Sequence, residues 1–207
     1  MKKKIVWYIL VGVNVFLLVM LGVQYEKQRR MQESIAGKVL RFHVLANSDE
    51  AYDQELKLKV RDAVGAQMAE LLSGAESRTE CEQIIQREID AIDRTAENVI
   101  REEGYSYETE TFLRKVEFPV KTYGNYTFPA GTYEALEIVI GEGEGHNWWC
   151  VMYPNMCFSG SVYEVVDEDA AEALQEVLSA EEYEEVLASG NYEVQFKYLT
   201  FLNELME

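Results

Sequence analysis

The hydrophobic rhythm of the chain changes several times, and each change marks an element. Ile5 to Val23 is apolar throughout except for Gly12, Asn14 and Gly22, with Lys2, Lys3 and Lys4 in front. At about 1.5 Å of rise per residue, such a run matches a bilayer core of about 30 Å. Gln24 to Gly37 turns polar and reads as a stalk. In Val39 to Ala46 the period drops to two. Leu40, Phe42, Val44 and Ala46 share one face and Arg41 and His43 the other, which predicts a strand. Leu56, Val60, Ala63, Val64 and Leu71 then recur at helical spacing, with Asn47 and Glu50 placed as a capping box, predicting a helix to about Leu72. A second box, Ser77 with Glu80, precedes the stripe Cys81, Ile84, Ile85, Ile92, Ala96, Val99 and Ile100. Gly104 falls where a C-terminal cap belongs.

From Tyr105 to Leu113 alternation returns, Pro119 breaks it, and Tyr123 to Tyr126 carries turn residues. Glu134 to Ile140 alternates again, so an antiparallel pair joined to the first strand is expected. Gly141, Gly143 and Gly145 then predict a sharp bend leading into the stretch from His146 to Phe158. Beyond it, Asp167 is placed to cap a helix bearing Leu174, Val177 and Leu178. Ser179 and Glu182 box another helix with Tyr183, Val186 and Leu187. Tyr192 to Tyr198 alternates like a strand, and Phe201, Leu202 and Leu205 read as a closing helix. The fold class is α+β: an N-terminal membrane segment (1–24), a polar stalk (25–37), and one domain (38–207) with helices packed on a small, mostly antiparallel sheet.

Charge sharpens this picture. The chain carries 19 basic and 37 acidic residues, net −18; without the three N-terminal lysines the remainder is net −21. Nucleic-acid binding depends on Lys and Arg neutralising phosphates, so so negative a surface argues against a nucleic-acid partner. The basic cluster ahead of the first apolar run favours a cytoplasmic N-terminus and an exported domain. An uncleaved anchor is the expectation, with cleavage nearer Ala36, giving a secreted form, as the alternative.

Candidate chemistry is sparse. GEGEG lacks both phosphate-loop spacings, and no Lys-Ser/Thr follows it. His146, Cys150 and Cys157 do not have a familiar zinc spacing, so no metal, cofactor or catalytic residue is assigned. His43 reads as a structural strand histidine and Cys81 as a small core residue. In an exported domain, Cys150 and Cys157 flanking a Pro-Asn turn read as a disulfide, contributing about 2.5 kcal/mol for so short a loop. Trp148 and Trp149 face opposite ways in an extended chain, so either one anchors the core while the other meets a partner, or both belong to the core. His146, Asn147, Trp148, Trp149 and Tyr153 are the candidate partner-binding residues.

The runs RFHVLANSD (Arg41 to Asp49), DQELKLKVRDAV (Asp53 to Val64), FPAGTYEAL (Phe128 to Leu136) and GEGEGHNWWCVMYPNMCF (Gly141 to Phe158) resemble the stage II sporulation protein R family. That resemblance implies a signalling protein, not an enzyme, in endospore-forming bacteria. It would sit in the forespore membrane with its domain in the space between forespore and mother cell. Its partner would be a membrane-embedded, aspartic-type protease that processes the mother-cell sigma factor precursor. Two other readings are an exported cell-wall hydrolase using Cys150 or an acidic residue, and a glycan-binding module using aromatics such as Trp148, Tyr153 and Tyr163.

Overall fold

The computed structural model describes residues 2–154 and 168–188. The elements run α1 (Lys2–Ala36), β1 (Leu40–Leu45), α2 (Ala51–Leu71), α3 (Arg78–Glu102), β2 (Thr109–Phe118), β3 (Lys121–Tyr123), β4 (Tyr126–Phe128), β5 (Gly131–Ile140), β6 (Asn147–Tyr153), α4 (Glu168–Val177) and α5 (Ala180–Ala188). The expected Asp167 cap, the alternation at 192–198 and the closing helix lie outside the described residues. The class is α+β, as its periodicities imply: an apolar helix followed by helices packed on a four-stranded sheet of order β2-β5-β1-β6.

β2 pairs antiparallel with β5, and β6 antiparallel with β1, but β1 and β5 run parallel. Local alternation reports a strand's faces and not its neighbours, so only the β2–β5 pairing could be expected. β6 is the element the sequence did not predict. The glycines that suggest a bend sit ahead of it at 141–145, and the following NWWCVMY is an edge strand rather than a corner. β2 begins at Thr109 rather than Tyr105, because Tyr105 and Tyr107 leave the ladder and stack on one another, with Tyr52 stacked beyond Tyr105.

Each sheet face has its own core. Leu40, Phe42 and Val44 of β1 and Leu136, Ile138 and Ile140 of β5 meet Leu56, Val60 and Val64 of α2 and Ile85, Ile92 and Ala96 of α3. On the opposite face, Tyr133, Ala135 and Val151 meet Phe118, the β3–β4 hairpin residues Tyr126 and Phe128, Ile35 of α1, and Leu174, Leu178 and Val186 of α4 and α5.

Caps explain where the helices begin. Ser77 Oγ accepts from Glu80 N–H at 3.2 Å, while the Glu80 carboxylate reaches back to Glu76 N–H, and Gly104 takes φ +84° past the end of α3. The Ser179–Glu182 box closes reciprocally. The expected Asn47–Glu50 box does not form. α2 starts after Glu50 without a side-chain cap, because Asn47 is engaged with another loop.

The stretch read as a stalk is helical, and α1 is continuous from Lys2 to Ala36. Its apolar part is not buried by any described residue, whereas Ile35 is fully buried in the second core. Arg78 donates to the carbonyls of Ala36 and Gly37, satisfying the end of the helix. Cleavage near Ala36 would take Ile35 out of that core.

Glu182 of α5 locks the same junction, accepting from Ser34 Oγ at 2.5 Å, Lys38 Nζ at 2.5 Å and Ser179 N–H at 2.6 Å. Burial pushes its carboxyl pKa up, but these donors outweigh it and hold the value at about 2. A depressed folded value means stability that is present above the ordinary carboxylate range and lost as pH falls towards about 2. Glu182→Gln is therefore expected to flatten the acid limb of the stability curve below about pH 5. Urea titrations of both proteins between neutral pH and pH 3 check this; parallel acid limbs would remove Glu182 from the junction.

Candidate partner-binding site

At the C-terminal ends of β1 and β5 two loops close on each other. Gly145 N–H donates to Ala46 O at 2.9 Å and Glu144 N–H to Asn47 O at 3.2 Å. Asn47 Oδ1 accepts from Glu142 N–H at 3.0 Å, and Asn47 Nδ2 donates to Asp53 Oδ2 at 2.8 Å. Ser48 Oγ donates to the same carboxylate oxygen at 2.6 Å. Burial raises the Asp53 pKa, but the Ser48 and Asn47 donors outweigh it and keep the group below its usual range. A Cβ at Gly145 would overlap the Ser48 carbonyl, which requires glycine at that close approach. The glycine run is thus a clasp between loops rather than an anion cradle.

His146 extends the clasp. Its N–H donates to Asp49 Oδ1 at 2.6 Å, and its exposed ring pairs with the same carboxylate through Nδ1. Lys57, nearly buried at the start of α2, donates to His146 O at 2.9 Å, and burial lowers its pKa. The RFHVLANSD, DQELKLKVRDAV and GEGEGHNWW runs therefore meet at one end of the sheet, although about 90 residues separate the third from the first two.

Trp148 and Trp149 leave this clasp on opposite faces of β6, as two adjacent strand residues must. Trp148 stands edge-on to Phe42, ring centroids 5.4 Å apart, with the Arg61 guanidinium 5.2 Å from its ring. Trp149 lies against His43 at 4.5 Å and Phe118 at 4.6 Å. Both indoles are half-buried, so neither is wholly core nor wholly free.

The five candidate residues do not form one patch. Asn147 to Trp149 adjoin His146, but Tyr153 ends β6 beside Leu40 and donates to Glu76 O at 3.1 Å. Six strand steps put it about 20 Å away. The expected cysteine staple has one end, Cys157, outside the described residues, and among those described no two cysteines are joined. Cys81 is free and buried, with its thiol pushed up to about 11 by burial. Cys150 is not free, and Cys157 lies outside the described residues, as does Tyr163. Cys150 is buried opposite Phe42, out of reach of an external substrate.

Sequence reasoning missed the charged cluster beneath Trp149. His43 Nε2 meets Glu137 Oε1 at 2.7 Å across the β1–β5 register, and Arg114 Nε donates to the other Glu137 oxygen. Burial raises the Glu137 pKa, but His43 and Arg114 outweigh it and lower the value. Beside them Arg41 is fully buried, donating to Cys150 O and Tyr123 Oη, both at 2.9 Å. The signal was present in the alternation: Arg41 and His43 share the face opposite Phe42, and only the parallel pairing brings Glu137 beneath them.

The fold and the clasp define a class: an α+β domain behind an apolar helix, with one end of its sheet closed by two distant loops. Residues 36–163 match the family described as Stage II sporulation protein R (spore_II_R). The Stage II sporulation protein R of Bacillus subtilis (strain 168) is 34% identical over 165 residues, covering 76% of this chain and 72% of that protein. This chain belongs to the stage II sporulation protein R family. No solved structure matches it.

Proposed function

We propose that this chain is an exported sporulation signal that activates a membrane-embedded, aspartic-type protease, which in turn processes the mother-cell sigma factor precursor. The observation that carries the reading is family membership across the whole clasped sheet, β1 to β6. It assigns a role in sporulation signalling; the protease and its direction of action extend that role. The domain acts as a ligand and activator rather than a catalyst. In this reading the apolar helix anchors the domain at a membrane, with the N-terminus in the cytoplasm and the domain in the space between forespore and mother cell; the length and hydropathy of α1 support the anchor.

Complementation tests the reading. A Bacillus subtilis strain lacking its own stage II sporulation protein R is expected to regain heat-resistant spores when this chain is expressed in the forespore. Spore counts unchanged from the deletion strain, with the protein present at the septum, would reject the role. Topology is checked separately by an alkaline phosphatase fused after Glu207, which is expected to be active. An inactive phosphatase beside an active cytoplasmic reporter at the same point would reverse the orientation.

A further inference from the structure

Where α1 leaves the domain, a crevice of about 510 Å³ opens between the helix and the β3–β4 region. Tyr25, Gln28 and Met31 form its helical wall; Val120, Pro129 and Ala130 form the other. Its volume is that of a small-molecule site rather than a packing defect. About two turns of α1 span the whole wall, and Gln32 closes it against Gly131, where the two surfaces meet side chain to backbone.

The position relative to the apolar run identifies the occupant. Val23 ends the apolar residues, so Tyr25 stands about 3 Å and Gln28 about 7.5 Å beyond it along the helix. The headgroup layer on each side of the hydrocarbon core is about 5–8 Å thick, which puts the crevice mouth within it. Tyr25 is 69% exposed and Val120 58%, so an apolar surface continues from the lipid-facing helix onto the domain. Tyrosine at that level is the usual interfacial residue of a membrane helix. A peptide would have to enter through the headgroups, whereas a lipid is already there.

Charge narrows the class further. The walls include Arg29, bonded to Glu26 and Glu33, and Glu185. Both signs therefore border the crevice, and the remainder of the chain at net −21 repels anionic headgroups. We propose that the crevice between Tyr25–Gln32 and Val120–Gly131 seats one zwitterionic phospholipid of the bilayer that α1 crosses. The proposal rests on the membrane-anchor reading of α1. A lipid held there ties the hairpin side of the domain to the membrane surface and leaves the clasped loops, on the far ends of β1 and β5, away from the docked end of α1.

The test uses the full chain in phosphatidylethanolamine–phosphatidylglycerol nanodiscs containing a trace of phosphatidylethanolamine with a diazirine near the glycerol end of one acyl chain. After illumination, adducts mapped by mass spectrometry are expected on 5–23 and also on 120–131. Gln28→Trp and Ala130→Trp fill the crevice from opposite walls. Each is expected to reduce the 120–131 adducts at least fivefold while leaving those on 5–23 unchanged. Gln28 is exposed, so its variant keeps the test valid should Ala130→Trp fail to fold. A matched phosphatidylglycerol probe is expected to label 120–131 at least threefold less. Adducts on 5–23 with none on 120–131, adducts there that both tryptophans leave untouched, or equal labelling by the two probes would overturn the proposal while sparing the anchor. No adducts on 5–23 would overturn the anchor reading and the proposal together.

Discussion

Arg41→Ala is expected to destabilise the domain by about 3–5 kcal/mol, whereas Arg41→Met is expected to stay within about 1–2 kcal/mol of the wild type. The guanidinium is completely buried, 4.3 Å from the Phe118 ring centre, 5.0 Å from Tyr133 and 5.3 Å from Phe128. Two of its nitrogens donate, one to Cys150 O on β6 and one to Tyr123 Oη on β3, while Nη1 has no partner among the described residues. Among the described residues no carboxylate pairs with it, and burial lowers its pKa. Alanine would leave a large void and strand the Cys150 carbonyl without its donor. Methionine fills much of the same space and removes a desolvated charge, which offsets the lost hydrogen bonds. Urea unfolding of the detergent-solubilised chain measures both variants. An alanine variant within about 1 kcal/mol of wild type would mean that the aromatic cage closes without Arg41. A methionine variant as unstable as alanine would show that the charge itself, and not the volume, holds β6 to the hairpin.

The second large effect concerns the paired tryptophans. Because each indole packs on a different core, Trp148→Ala and Trp149→Ala are each expected to cost about 2–3 kcal/mol, less than the 3–5 kcal/mol of a fully buried aromatic. Each ring is also partly exposed, so an aromatic anchor there can serve a partner. Trp148→Phe and Trp149→Phe retain most of the packing and separate the two roles. One phenylalanine variant is expected to melt near wild type and yet lose most precursor processing, on the order of thirtyfold for 2 kcal/mol of binding. If both phenylalanine variants process normally, the tryptophans belong to the cores and the partner meets another surface.

How much was legible can be judged from particular residues. The α2 and α3 stripes and both serine boxes stood in the sequence because capping and helical periodicity are local. So did the burial of Cys81, which falls on the α3 stripe. The parallel β1–β5 pairing was hidden, since nothing in RFHVLA names the strand beside it, and the His43–Glu137 pair was hidden with it. NWWCVMY was concealed by its own neighbours: the glycine run before it and Pro154 after it suggested a bent loop. Asn47 looked like a cap because its spacing to Glu50 is right, but a loop about 95 residues downstream claimed its side chain. The polar stalk illustrates the converse. Its composition is that of solvent-exposed chain, and its exposed face is polar, yet Ile35 on the other side completes a core that no local window contains.

The most direct measurement is processing in a host that does not sporulate. The membrane-embedded protease, the sigma factor precursor and this chain are expressed together, and the precursor is followed by immunoblot. Cleavage is expected only when the chain carries its apolar helix; a version lacking residues 1–24, and so retained in the cytoplasm, is expected to leave the precursor intact. A precursor that stays uncleaved with the full chain exported and folded would contradict the signalling function, and cleavage by the cytoplasmic version would contradict export as its route.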